Sequence, residues 1–185
     1  MQIKGTSLIA TRKFVLQQFG QGGLDSFTAA LPPESRRLFT DGVLANGWYP
    51  AGPGLIEPSR TLCSLFYGGE ERGAWEAGIF SADDGLRGIY RFFARIATVE
   101  KLLQKTAGIF HAYYQPGRME VAESGARRIV LAMRDADERD RLLEVRICGW
   151  LDGALRVCGS AGHRISVGRS LSQGDAVTEF IIDRN

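Results

Sequence analysis

Apolar residues recur every three or four positions through most of the chain, then every second position near its end. The first pattern predicts helices and the second predicts strands. A short strand around Gln2 to Gly5 opens the chain. In TRKFVLQQFG, Phe14 lies four residues after Ala10 and Phe19 four after Val15, a helix that Gly20 can cap. Leu24, Phe27 and Leu31 mark a second short helix, and LPPESRRLF restarts the chain with Pro33 in a first helical turn. NGWYPAGPG is a breaker cluster, which predicts a turn for Trp48 and Tyr49. In RTLCSLFYGG, Leu62, Leu65 and Phe66 share a face that stops at Gly68-Gly69. SADDGLRGIYRFFARI is expected to begin a helix, with Ser81 and Asp84 at capping-box spacing and Leu86, Ile89, Tyr90 and Phe93 in one stripe. A further helix is predicted from Thr98 to Gln115, with Val99, Leu103, Phe110 and Tyr114 on its inner face.

Beyond Pro116-Gly117 the period changes. RMEVAE and RRIVLAM flank SGAR as a hairpin, with Ile129, Leu131 and Met133 on one face. DRLLEVRICGWLDGALRVCG predicts a long helix whose buried stripe is Leu143, Ile147, Leu151, Ala154 and Cys158. HRISVGRS and AVTEFIID form a last hairpin around Gln173-Gly174-Asp175. The order is a helical part over residues 1–115, then ββαββ over 116–185. That is α+β with an antiparallel sheet rather than a doubly wound one. A chain of 185 residues suits one domain, residues 1–185.

Composition narrows the function. With 44% hydrophobic and 24% charged residues, the chain can bury a core without disulfides or metals. A net charge of +2 gives no electrostatic case for nucleic acid. Arginines outnumber lysines 19 to 4, which suits polar interfaces or a solvated surface. No apolar run approaches the ~20 residues of a membrane span. The N-terminus lacks a signal-peptide core, and three scattered cysteines suit a reducing compartment, so a cytoplasmic location is expected.

Most chemistry is missing. Zinc wants about four ligands in close pairs. The sequence offers two histidines, His111 and His163, and neither CxxC nor HxxxH. Cys148 and Cys158 point roughly 80° apart on their helix, as small apolar residues. His111, at the edge of an apolar stripe, has the form of a heme ligand, but a boundary histidine with one wet face is the ordinary reading of a lone histidine. Ser81, Ser124 and Ser172 lie outside any GxSxG elbow, and GQGG follows a helix rather than a strand. No catalytic residue, metal ligand or cofactor is therefore assigned. Gly149 and Gly153, one turn apart, permit a close helix contact, either inside the domain or between two copies in a homodimer. The aromatics Trp48, Tyr49, Tyr90, Phe92, Phe93, Phe110, Tyr113 and Tyr114 either line an apolar pocket or fill a core.

The stretches IKGTSLIATRKFVLQQFG, LPPESRRLF, GWYP, GIYRFFARIATVEKLLQKTAGIFHAYYQPGRMEV, GWLDGAL and RSLSQGDAVTEFIID run in an order that resembles a bacterial paralogous family of unknown function, abundant in myxobacteria. That family resembles the 4-vinyl-reductase-type small-molecule-binding domain. Both resemble the fold shared by heme-nitric-oxide sensors and TRAPP vesicle-tethering subunits, a ligand-binding fold of NO signalling and Golgi transport. The vinyl-reductase type often holds zinc with cysteines around the last turn. Here the matching positions are Ser170 and Thr178, so the zinc site does not carry over. The heme sensors add a YxSxR motif, which this chain lacks, so His111 inherits no heme role. The resemblance implies a non-enzymatic sensor that binds a small, apolar ligand and signals through a protein partner. Tyr90, Phe93, Phe110 and Tyr114 are the candidate pocket. The alternative is a protein-interaction adaptor of the same fold with no ligand.

Overall fold

A computed structural model describes residues 1–86, 99–160 and 162–184. The chain opens with strand β1 (Gln2–Lys4) and the long helix α1 (Gly5–Ala30). The predicted stop at Gly20 is a break inside α1. Gly20 takes φ 70° and ψ −173°, a left-handed φ that costs glycine nothing, and helix resumes after it. Helix α2 (Pro33–Thr40) starts on Pro33, as its sequence requires. Trp48–Pro50 forms strand β2, not the expected turn. It pairs antiparallel with β1, opposing Trp48 to Lys4 and Tyr49 to Ile3, so a partner strand overrides local breaker chemistry. A π-helical turn (Gly52–Ile56) leads into α3 (Glu57–Phe66), where Leu62 is buried but Leu65 is exposed.

Helix α4 (Arg72–Gly85) runs through the position where a helix start was expected. Ser81 caps nothing; its hydroxyl donates back to the Ala77 carbonyl at 2.8 Å, inside the helix. Helix α5 (Val99–Ile109) ends earlier than predicted, in a 3-10 turn (Phe110–Ala112), and Tyr114 lies on strand β3 (Tyr114–Gln115). Strand β3 pairs with β1, so the helical part carries a small sheet of order β2-β1-β3.

The remainder is the expected ββαββ. Strands β4 (Arg118–Ser124) and β5 (Arg128–Arg134) form a hairpin whose register shifts between Val121 and Glu123. Helix α6 (Arg141–Val157) follows, started by the Asp140 carboxylate accepting from Leu142 N–H at 2.8 Å. Strands β6 (His163–Val167) and β7 (Thr178–Arg184) complete an antiparallel sheet of order β4-β5-β7-β6. β5 is buried on both faces, since Ile129 to Met133 are all buried. One apolar core joins both parts, from Leu8, Phe14 and Phe27 to Leu103, Leu131, Leu151 and Phe180. Among the described residues no helix is long and apolar enough to cross a membrane.

Helix α6 is enclosed along most of its length. Leu143, Ile147, Leu151 and Ala154 are buried as expected, while Cys158 is half-buried just past its end. Its other side presses on α4. A Cβ on Gly149 would overlap the Trp75 carbonyl oxygen, and one on Gly153 would meet the Ile79 oxygen at 2.7 Å. From the facing side, a Cβ on Gly78 would overlap the Arg146 carbonyl. Gly149 and Gly153 thus serve close packing inside the domain. The surface they would need for a contact between copies is covered by α4.

Candidate functional site

The four aromatics of the expected pocket separate into two groups. Phe110 is buried at 5% exposure, and Tyr114 is half-buried. Their rings stack at 4.8 Å between centroids and 17° between planes. Phe110 reaches this pair from the 3-10 turn below α5, and Tyr114 from β3, where it opposes Ile3. Tyr90 and Phe93 lie outside the described residues. Burial pushes the Tyr114 phenol up from its ordinary value, so it is neutral at physiological pH.

Charged residues on α6 were not anticipated inside the protein, yet three are buried there. Glu144 is 1% exposed. It accepts from the hydroxyls of Ser170 (2.8 Å), Ser172 (3.0 Å) and Thr178 (2.7 Å), and from Ser172 N–H at 3.4 Å. Arg141 adds a cation at 3.5 Å. The polar closing turn is built around this carboxylate. Asp175 accepts from Ser170 N–H at 2.7 Å, Gly174 takes φ 95°, and a 3-10 turn (Leu171–Gln173) presents Ser172 to Glu144. Ser170 and Thr178, the positions where zinc cysteines were sought, are donors to Glu144. Among the described residues no three His, Cys, Asp or Glu side chains cluster to hold a metal.

Arg146 faces the helices instead. It is 3% exposed, and its Nη2 donates to Thr11 Oγ1 at 2.9 Å and to Ser81 Oγ at 3.5 Å. Its Nη1 is buried without an acceptor among the described residues. Burial lowers its pKa to about 10, which leaves it protonated near neutrality. Tyr114 and Cys63 are the ionisable groups that feel this charge, and burial holds the Cys63 thiol up as well.

The third charge, Asp152, lies at the far end of α6. Its carboxylate accepts from Trp75 Nε1 (3.0 Å) and twice from Arg156 (2.7 Å each), and lies 3.0 Å from His163 Nε2. Burial alone would raise its pKa, but the Arg156, Trp75 and His163 hydrogen bonds outweigh it and hold the group below the usual range. Asp152, Arg156 and His163, with Gly159, Ser160 and Gly162, line an open surface cleft of about 440 Å³. His111 is exposed on the 3-10 turn and does not point into the core.

Sequence periodicity could have found two of these groups. At 100° per residue Glu144 and Arg146 sit roughly 200° apart, on opposite flanks of the stripe of Leu143, Ile147 and Leu151. A helix packed on two sides buries both flanks, and both residues are buried here.

Comparison with solved structures identifies the fold. An H-NOX protein from S. oneidensis in the Fe(II)NO ligation state superposes with a TM-score of 0.74 at 15% identity, covering 99% of both chains. The Fe(II) unliganded H-NOX protein from K. algicida gives 0.74 at 12% identity, over 99% of this chain and 97% of that one. An H-NOX from Shewanella woodyi bound to IWP-051 gives 0.70 at 15%, over 98% and 94%. The chain therefore has the α+β fold of the heme-nitric-oxide sensors, the deepest level of the resemblance. No protein-family model and no curated protein matches its sequence, so the myxobacterial and vinyl-reductase levels gain no support.

Proposed function

We propose that the chain is a non-enzymatic regulatory module that binds a small, largely apolar molecule in its interior and signals through a protein partner. The observation that carries this reading is the end-to-end match to H-NOX structures, named for bound NO in one case and bound IWP-051 in another. A fold that holds small molecules across such low identity keeps its architecture while the lining changes. The residues proposed to meet the ligand here are Phe110, Tyr114 and the buried side chains of α6.

Heme does not fit the residues present. A histidine ligand is what the resemblance asks for, and the sequence holds two histidines. His111 is exposed, and His163 has its Nε2 beside Asp152 on the far sheet. The proposed ligand is therefore an organic molecule bound without heme. The adaptor reading is favoured by one feature: Phe110 and Tyr114 stack directly, leaving no gap between those two rings.

Thermal unfolding against a library of hydrophobic small molecules, read with native mass spectrometry, separates the two. A sensor gains melting temperature with a specific ligand. Ala107, buried on α5, is the place to block it, and Ala107→Trp should abolish the gain. Phe110→Ala should cost about 3–5 kcal/mol in the absence of ligand. A wild type that no compound shifts, and that carries no bound molecule in the mass spectrum, refutes the sensor and leaves the adaptor.

A further inference from the structure

The buried charges of α6 are treated unequally. Glu144 receives three hydroxyls, a backbone N–H and a nearby guanidinium. Asp152 receives an indole N–H, two guanidinium N–H groups and an imidazole. Arg146, at 3% exposure, has two neutral oxygens and, among the described residues, no carboxylate.

Those two oxygens are fixed in their role. The Thr11 hydroxyl gives its proton to the Ser7 carbonyl at 2.9 Å, and the Ser81 hydroxyl gives its own to the Ala77 carbonyl at 2.8 Å. Each turns a lone pair to Arg146 and holds Nη2 in place, and neither carries charge. Tyr114 and Cys63 are kept protonated by burial and supply no anion either. Among the described residues, Nη1–H is thus a donor in the interior with no acceptor, on a cation with no counter-ion. An unpaired charge is among the most costly groups a core can hold, and a bound anion removes that cost.

We infer that Arg146 anchors the ligand, and that the ligand is an apolar molecule bearing a carboxylate, whose oxygen takes the free Nη1–H while Thr11 and Ser81 brace Nη2. This rests on the reading of the chain as a small-molecule sensor and names the chemical class it senses. Charge-assisted hydrogen bonds to guanidinium are strong and directional, so the anchor also sets the ligand's orientation.

The test uses octanoate, 1-octanol and acetate at matched ionic strength, with thermal unfolding of the full chain. Octanoate is expected to raise the wild-type melting temperature by several degrees, and octanol and acetate by much less. Arg146→Met should lose the octanoate gain and melt above the ligand-free wild type, because the unpaired charge is gone. If Arg146→Met does not fold, Arg146→Gln is the second variant, expected to weaken octanoate binding about tenfold or more. Equal gains from octanoate and octanol, in wild type and variant alike, overturn the anionic anchor while the sensor reading stands. A gain from acetate equal to that from octanoate supports the anchor and overturns the apolar ligand. No gain from any of the three overturns the anchor, with Nη1 satisfied by water alone.

Discussion

Replacing Gly149 by alanine should reverse the usual sign of a glycine-to-alanine change in a helix. In an open helical position that change stabilises by about 0.5–1 kcal/mol, because glycine has more backbone freedom to lose. Gly108 on α5 is such a position, since a Cβ there would meet nothing within 4 Å. Gly149 is the opposite case. Its added Cβ would overlap the Trp75 carbonyl and lie 3.0 Å from Trp75 Cα, both backbone atoms that no rotamer change can move. Helices α4 and α6 must then separate, and overpacking of this kind costs about 1–3 kcal/mol, enough to outweigh the helical gain. Urea unfolding of the two variants measures the difference directly. At constant slope, the midpoint should rise for Gly108→Ala and fall for Gly149→Ala. A Gly149→Ala midpoint that rises like that of Gly108→Ala refutes the close α4–α6 contact. A change in Gly149→Ala that depends on protein concentration would instead place Gly149 between two copies.

Glu144→Ala should destabilise by about 3 kcal/mol or more in the same assay, because it strands the Ser170, Ser172 and Thr178 hydroxyls in a closed turn; a loss under about 1 kcal/mol would mean the turn closes without the carboxylate. Asp152 has a folded pKa below its ordinary 3.8, so its contribution is present above that value and lost as pH falls through the lower folded one. Asp152→Asn should therefore flatten the acid limb of a stability–pH curve below about pH 4, and an unchanged limb would show that the Arg156 and His163 contacts carry no net stability. Cys148, with its thiol pushed up to about 12 by burial, should resist alkylation at pH 8 in the folded protein. Prompt labelling of Cys148 would show that α6 opens readily.

The fold was legible where period and partner agreed. Leu143, Ile147 and Leu151 marked the inner face of α6, and the alternation Ile129, Leu131, Met133 marked β5, because burial imposes one periodicity on each element. Errors arose where a distant strand decided the conformation. Trp48–Pro50 and Tyr114–Gln115 carry turn or helix signals locally, but β1 offers each an antiparallel partner, and paired backbone hydrogen bonds outweigh weak local preference. Ser81 and Asp84 mimicked a capping box because serine and aspartate also suit a late turn of a helix whose start, Arg72, carries no side-chain cap.

The site was harder to read because its informative residues are polar ones on a helix judged by its apolar stripe. Leucines at positions 143 and 151 need no explanation in a core, whereas Glu144 and Arg146 on the two flanks of that stripe do. Both are buried, and the chain solves the two problems differently. The carboxylate is met by hydroxyls from a turn brought in from the end of the chain, Ser170 to Thr178, so its cost is offset within the fold. Among the described residues the guanidinium is met by Thr11 and Ser81, which steady it without neutralising it. A fold under selection for stability alone would place leucine or methionine at position 146, since hydrophobic replacement of buried ionic groups is often neutral or stabilising. A buried, braced cation on the flank of α6, without a counter-ion among the described residues, is therefore the residue whose function stability does not explain.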